Sequence, residues 1–244
     1  MPLISRNLAV PARALAIAAH PDDVEFGCGA TLAKWAAAGC EVSHLICTDG
    51  SKGTWDVDSD LARLVKVRQG EQRAAAAALG ATGQVGFLGR VDGELDSGTA
   101  TRGEVAGWIR SLRPEVVLGH DPWKRYRLHP DHRHAGWLAV EAVVAARDPH
   151  FFPHQAMAHH RPAALLLFEA DEPDHGEDVT GYAATKIAAL EAHESQFETT
   201  MKIGADDDGD QRERFRRRIT DQLATVGRAL GVAEAEQFKL IRDT

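Results

Sequence analysis

Residues 14–29 read Ala14-Leu15-Ala16-Ile17-Ala18-Ala19-His20-Pro21-Asp22-Asp23-Val24-Glu25-Phe26-Gly27-Cys28-Gly29. A six-residue apolar run is the length of a strand buried on both faces, and the glycine-studded stretch after it opens a helix. A histidine and two aspartates therefore stand at the carboxyl end of a strand. In open α/β sheets that edge is where ligands bind.

Outward from this stretch the strand-then-helix alternation repeats. The spacing predicts strands near 13–19, 41–48, 85–88, 115–118 and 163–169, with a final one near 237–241. It predicts helices near 31–38, 61–79, 102–112, 132–146, 181–192 and 212–230. Such alternation specifies a Rossmann-like α/β fold, a mostly parallel sheet with helices on both faces. No repeat or linker interrupts it, so a single domain over 1–244 is expected.

Composition narrows the function. The 244 residues are 44% hydrophobic and 26% charged, with a formal net charge of −8. An acidic balance gives no electrostatic support to nucleic-acid binding. No apolar stretch approaches the roughly 20 residues a membrane span needs. Pro11 and Arg13 break the short apolar segment that would otherwise resemble a secretory leader. Cys28, Cys40 and Cys47 are odd in number and lack a CxxC pair, which reads as reduced thiols in a cytoplasmic protein.

The chemistry lies in two constellations. In the first, His20 and Asp23 are three residues apart, so one turn can aim both at a single ion. Imidazole plus carboxylate suits zinc, which in catalytic sites takes three protein ligands and keeps one position open. The second, His129-Pro130-Asp131-His132, offers His132 as the third ligand. Asp22, between the two near ligands, can stay off the metal and serve as a general base. His129, one helical turn from His132, can face a substrate carbonyl and, when protonated, stabilise an oxyanion and later protonate the leaving amine. Asp131 is placed to orient the His129 ring and raise its pKa. Each motif alone also has an ordinary structural reading, since HxxD recurs by chance and Pro130 suits a helix start.

These residues resemble a known family, the LmbE-like (PIG-L) zinc-dependent N-acetylglucosaminyl deacetylases. The similarity runs through residues 19–25 and Gly27-Cys28-Gly29-Ala30-Thr31-Leu32, then Thr48-Asp49-Gly50-Ser51-Lys52-Gly53-Thr54. It continues through Arg68-x-x-Glu71, Leu79-Gly80, Asp92-Gly93, residues 129–132 and His193-x-Ser195-Gln196. The resemblance implies the same roles: His20, Asp23 and His132 as zinc ligands, Asp22 as base and His129 as the oxyanion-stabilising acid. It implies hydrolysis of the N-acetyl group of amino sugars, as in mycothiol, bacillithiol, glycolipid and antibiotic pathways. Two departures stand out. Ala30 replaces a glycine common in the family, and residues 121–128 (DPWKRYRL) are bulkier and more basic than a Gly-rich lead-in. The second bears on substrate rather than on reaction.

Secondary candidates remain open at this level. Arg68 either points into the cleft or pairs with Glu71 on a helix surface. Asp92 binds sugar hydroxyls or forms an ordinary Asp-Gly turn. Asp49 and Ser51 follow the second strand and are expected at the cleft, and His193 is a pocket or a structural histidine. His120, at a strand end, is expected to be structural, and His154, His159 and His160 a solvated cluster. Residues 212–218 carry five arginines, which read as an exposed amphipathic face or as an anion or subunit contact.

The expected activity is therefore zinc-dependent deacetylation of a small-molecule amino-sugar conjugate. Fe2+ suits the same ligands, and a homo-oligomer stays open. An amidase on a thiol or antibiotic conjugate is the near alternative. A non-haem iron oxygenase shares the two-His, one-carboxylate set. A dinucleotide- or metabolite-binding module would need Gly-x-Gly-x-x-Gly directly after the first strand, where this chain has His20 and two aspartates.

Overall fold

The computed structural model describes residues 5–244, so residues 1–4 of the expected 1–244 domain lie outside it. In chain order the elements are β1 (Ser5–Arg6), β2 (Arg13–Ala18), α1 (Asp23–Ala37), β3 (Glu41–Thr48), α2 (Leu61–Ala78), β4 (Val85–Arg90), α3 (Thr99–Leu112), β5 (Val116–His120), α4 (Pro130–Arg147), β6 (Ala164–Phe168), β7 (His175–Asp178), α5 (Ala183–Glu191), α6 (Asp210–Leu230) and β8 (Ala235–Arg242). The strands form one eight-stranded sheet in the order β1-β7-β8-β6-β5-β2-β3-β4. Every pairing is parallel except those of β8, which runs antiparallel to both β6 and β7.

The alternation within β2 explains the layers. Ala14, Ala16 and Ala18 join the core under α1, α2 and α5, whereas Leu15, Ile17 and Ala19 join the core under α3 and α4. A strand buried on both faces needs this unbroken apolar run. A third, smaller cluster seats α6 on α1 and α5 through Phe215, Ile219, Leu223, Ala30 and Leu190.

Two differences from the sequence reading matter for the site. First, α1 begins at Asp23, not near 31, and α4 begins at Pro130, so both constellations stand in first turns. The two glycines that suggest a late start do not break α1. A side chain on Gly27 would lie 2.5 Å from the Phe168 ring, so glycine is needed for α1 to approach β6. The helix bends at Cys28, whose φ of −150° departs from helical values. Second, β7 (His-Gly-Glu-Asp) has no apolar pattern to reveal it. It is buried by pairing with β1 and β8.

The chain reverses direction in the sheet between β2 and β5. From β2 it passes to β3 and β4 on one side, then returns to β5 on the other. A crevice opens at the carboxyl ends of such a pair of strands. Here those ends deliver His20, just past β2, and His120, the last residue of β5.

Candidate active site

The turn between β2 and α1 is built around Asp22, whose backbone φ of 104° lies in the left-handed region. That conformation is costly for a residue with a side chain and persists only where its surroundings impose it. The surroundings are explicit. The Asp22 amide donates to Gln72 Oε1 at 3.0 Å, and Arg68 donates to Pro21 O at 2.6 Å. The His20 amide donates to Asp23 Oδ2 at 2.8 Å, closing the turn.

Donor atoms of three residues converge above this turn, Asp23 offering one oxygen to each histidine. His20 Nδ1 lies 3.2 Å from Asp23 Oδ2 and 3.1 Å from His132 Nε2, and His132 Nε2 lies 3.4 Å from Asp23 Oδ1. Ligands at about 2.0–2.1 Å on a tetrahedral zinc are separated from each other by roughly 3.3 Å. The residues present therefore fit a metal of this kind. His20 Nε2 is turned the other way, 3.1 Å from Asp131 Oδ2 and 3.2 Å from Asp92 Oδ1. Carboxylates on the far nitrogen fix the ring and leave Nδ1 for the ion. Three further groupings could also hold a metal: His129 with His20 and His132, Asp92 and Asp131 with His20 and His129, and His120 with Asp23 and His132.

Electrostatics agree with a site built for a cation. Burial alone would push Asp23 up, but His132, His120 and His20 outweigh it and hold its carboxyl well below the usual range. His132 is driven down to about 3, chiefly by burial with help from His120, Arg127 and His20, and so offers a neutral imidazole. Burial opposes charge on His20, yet Asp131, Asp23 and Asp92 raise its pKa well above normal. Asp22 is pushed up to about 6, first by burial and then by Asp23, against the pull of Arg68, His193 and His20.

The remaining expected residues fall into place unequally. Asp131 does reach an imidazole, but that of His20 rather than His129, and Gly93 and Leu95 donate their amides to its oxygens. Helix α4 starts at Pro130, and this turns Asp131 inward, with no side-chain exposure. The carboxylate nearest His129 is that of Asp92, at 3.9 Å. The expected raised pKa of His129 also does not hold. Burial and the neighbouring His20 lower it, outweighing Asp131 and Asp92.

Arg68 is buried, not paired with Glu71 on a surface. It spans the carbonyls of Gly50 (2.8 Å) and Pro21 and lies 3.6 Å from Asp22 Oδ2. Gly50, at φ 67°, is glycine because a side chain there would meet the Arg68 guanidinium at 2.6 Å. Glu71 instead accepts from Ser195. Asp49 and Ser51 stand behind the cleft wall: Asp49 Oδ1 accepts the amides of Ser51 and Asp92, tying two loops together. His193 is fully buried below Asp22, 3.3 Å from Glu25 Oε2, and does not line the cleft. His120, expected to be structural, faces the site with Nε2 3.4 Å from Asp23 Oδ2 and Nδ1 3.3 Å from Glu169. Its position at the end of the strand beside β2 is the signal that could have marked it. Gln72 carried no sequence signal; it is a buried polar residue on a helix whose partner, the Asp22 amide, lies 50 positions away.

The cleft over these groups has a volume of about 710 Å3 and is lined by His20, Asp22, Asp23, Arg68, His129 and His132 among others. A groove of about 750 Å3 runs along α6 between Arg214 and Gln237. It holds no imidazole, so the chemistry belongs to the first cleft. Among the described residues no helix is long and apolar enough to cross a membrane.

Comparison with known proteins follows the same outline. A family model described as PIG-L, GlcNAc-PI de-N-acetylase, matches residues 15–143. A diacetylchitobiose deacetylase of Thermococcus kodakarensis is 37% identical over 76% of this chain and 70% of its own. A 1D-myo-inositol 2-acetamido-2-deoxy-alpha-D-glucopyranoside deacetylase of Mycolicibacterium gilvum is 32% identical over 76% of this chain and 81% of its own. Among solved structures, the N,N'-diacetylchitobiose deacetylase from Pyrococcus horikoshii, complexed with an inhibitor, superposes with a TM-score of 0.85. It is 28% identical and the match covers 95% of this chain and 84% of that one.

Proposed function

The chain belongs to the PIG-L family of de-N-acetylases, and on that premise we propose that it hydrolyses the N-acetyl group of a small amino-sugar conjugate. The observation that carries this reading is the convergence of His20 Nδ1, Asp23 and His132 Nε2 within 3.1–3.4 Å beside a buried, strained Asp22. His20, Asp23 and His132 would hold the metal, zinc by preference, with Fe2+ acceptable to the same donors. When bound, such an ion acidifies water and polarises a carbonyl oxygen.

The residues supply the rest. Asp22 takes a proton from the attacking water, and Arg68 at 3.6 Å favours the ionised carboxylate this requires. The amide carbon becomes tetrahedral, and the His129 ring N–H donates to the oxygen that gains charge. A neutral imidazole suffices for that donation, in keeping with the lowered pKa of His129. Asp22 then returns its proton to the departing nitrogen, the C–N bond breaks, and acetate and a free amine result. Asp131 and Asp92 hold His20 throughout. His132 would hold the metal through Nε2, leaving its ring proton on Nδ1, and Arg127 beside it is paired with Glu169 at 2.7 Å.

The reading takes residues 1–244 as one catalytic domain. Cys28, Cys40 and Cys47, all free and buried, support placement in the reducing cytoplasm.

The test is a paired assay on purified protein: metal per chain, and acetate released from a panel of N-acetylglucosamine conjugates, for the wild type and Asp22→Asn. About one metal per chain, with acetate release lost in the variant but metal retained, is the expected result. Protein that binds no metal and gains nothing from added zinc overturns the reading. Metal without release from any sugar redirects it to amidase substrates.

A further inference from the structure

The chain passes from β2 to α1 through a β-turn, His20-Pro21-Asp22-Asp23, closed by the Asp23 amide donating to His20 O at 3.3 Å. Proline at the second position suits both common turn types, and the positive φ at the third makes this a type II turn. Glycine or asparagine normally fills that third place. An aspartate there favours the type I form, in which the Pro21–Asp22 peptide is turned over while the ends of the turn stay in place. A force from outside the turn therefore sets the sense of one peptide.

Helix α2 supplies it. Arg68 and Gln72, four apart on one face, hold that peptide at both ends. Arg68 donates to Pro21 O at 2.6 Å, and Gln72 Oε1 accepts the Asp22 N–H at 3.0 Å. A guanidinium can only donate, but a glutamine amide can do either. Gln72 holds the peptide only while its oxygen faces Asp22. Its NH2 group is met by two acceptors, Glu25 Oε1 at 2.8 Å and His44 Nδ1 at 3.3 Å. Turning the amide over would set its oxygen against both acceptors and its NH2 against the Asp22 N–H.

Behind Glu25 stands His193, its Nε2 3.3 Å from Glu25 Oε2. Burial opposes charge on His193, but Glu25, Asp22 and Glu71 outweigh it and raise its pKa, so the ring brings a proton to the Glu25 carboxylate. Burial, helped by His193, lowers the pKa of His44, which leaves His44 Nδ1 able to accept. Glu25, His44, Gln72 and His193 are all wholly buried. Among the described residues, His193 Nδ1 and His44 Nε2 have no partner. Unpaired buried nitrogens cost stability, a cost borne for the contacts that the other nitrogen of each ring makes. Glu71, next to Gln72 on α2, fixes the turn that carries His193 by accepting the Ser195 amide at 2.8 Å and its hydroxyl at 2.6 Å.

We propose that Gln72, Glu25 and His193 are positioning residues for the base. Acting in series, they fix the sense of the Pro21–Asp22 peptide and with it the place of the Asp22 carboxylate. His20 and Asp23, at the ends of the same turn, keep their places without them. That Asp22 is the base rests on the deacetylase reading.

The experiment compares metal-loaded wild type with Gln72→Glu, the exchange Glu25→Gln/Gln72→Glu, His193→Phe and His193→Gln. A carboxylate at 72 still accepts the Asp22 N–H but cannot donate to Glu25. In the exchange, the amide at 25 donates to the carboxylate at 72 and still accepts from His193, so every bond regains its direction. The readouts are metal per chain, kcat and KM for amine release from N,N'-diacetylchitobiose, and a crystal structure of each variant. Gln72→Glu and His193→Phe should lower kcat by about 10²-fold, with KM and metal content unchanged. Their structures should show the Pro21–Asp22 peptide turned over and Asp22 at negative φ. The exchange and His193→Gln should recover most of the loss and the original peptide. Single variants that keep wild-type kcat, that lose metal along with activity, or whose peptide does not move overturn the positioning and leave the deacetylase standing. So does an exchange that recovers nothing. If the wild type releases no amine, the structures decide alone. A peptide that turns over in Gln72→Glu and returns in the exchange then overturns the deacetylase and keeps the positioning, whereas an unmoved peptide overturns both. Should Gln72→Glu fail to fold, the two His193 variants carry the same test.

Discussion

Replacing Arg68 by methionine should damage stability and move the acid limb of the pH profile, and the structure sets both magnitudes. Arg68 is buried and donates to the carbonyls of Pro21 and Gly50. Methionine fills much of the volume but satisfies neither oxygen, and each unpaired buried acceptor costs about 1–3 kcal/mol. The total of roughly 2–6 kcal/mol corresponds to a fall in Tm of about 5–20 °C for a domain of this size. The second effect is electrostatic. The guanidinium lies 3.6 Å from Asp22 Oδ2 and lowers a pKa that burial has pushed up to about 6. A unit charge at that distance is worth roughly 4–5 kcal/mol at an effective dielectric near 20, and carboxylates beside arginine typically shift by about 1–3 units. Removing the charge therefore raises the Asp22 pKa. Because the base must be ionised, the acid limb of kcat/KM should move to higher pH by about 1–3 units. The profile is measured on metal-loaded enzyme at a temperature where both proteins are folded. Arg68→Lys, which keeps the charge but cannot bridge both carbonyls, should lose stability while moving the limb less. A lowered Tm with an acid limb that stays within about 0.3 unit of wild type would refute the electrostatic role and leave Arg68 a strut.

Three further outcomes follow from the same geometry. Asp22→Asn should stabilise the metal-free protein by about 3 kcal/mol at pH 7.5 and give little gain at pH 4. The folded carboxyl titrates near 6, above its ordinary value of 3.8, so its ionisation weakens the fold as pH rises between those values; equal Tm differences at both pH values would contradict this. His129→Ala should lower kcat by about 10²- to 10³-fold with metal stoichiometry retained, and loss of the metal would instead place His129 among the ligands, as two of the alternative groupings allow. Gly136→Ala puts a methyl 2.7 Å from His120 O and 2.9 Å from Pro122 N, backbone that cannot step aside. It should cost about 1–3 kcal/mol and weaken metal affinity, since α4 carries His132; an unchanged Tm would show that the two elements part easily.

What was legible in the chain was what depends on near neighbours in sequence. The apolar run before His20 and the three-residue spacings were enough to bring together His20, Asp22, Asp23 and His132, the residues proposed as metal ligands and base. The partners of Asp131 were not legible, because which imidazole it meets depends on how α4 docks against β2, over a hundred positions away. Asp49 and Ser51 follow β3 as expected, yet the loop at Asp92 folds over them and takes up the Asp49 carboxylate. β7 escaped notice because its burial comes from its neighbours in the sheet and not from its own composition. Gln72 and Arg68 act through backbone atoms of distant loops, which no side-chain pattern records.

The left-handed backbone at Asp22 also has a consequence for how the protein can change over time. An aspartate codon reaches asparagine, glycine, alanine, valine, histidine, tyrosine or glutamate by one nucleotide. Asparagine and glycine accept a positive φ most readily, and neither can act as the base. Glutamate keeps the carboxylate but pays for the conformation and reaches one carbon too far. Chemistry and backbone thus forbid opposite halves of the accessible neighbourhood. A lineage that keeps the reaction has no single step away from this residue, whereas one that loses the reaction can keep the fold at little cost through asparagine.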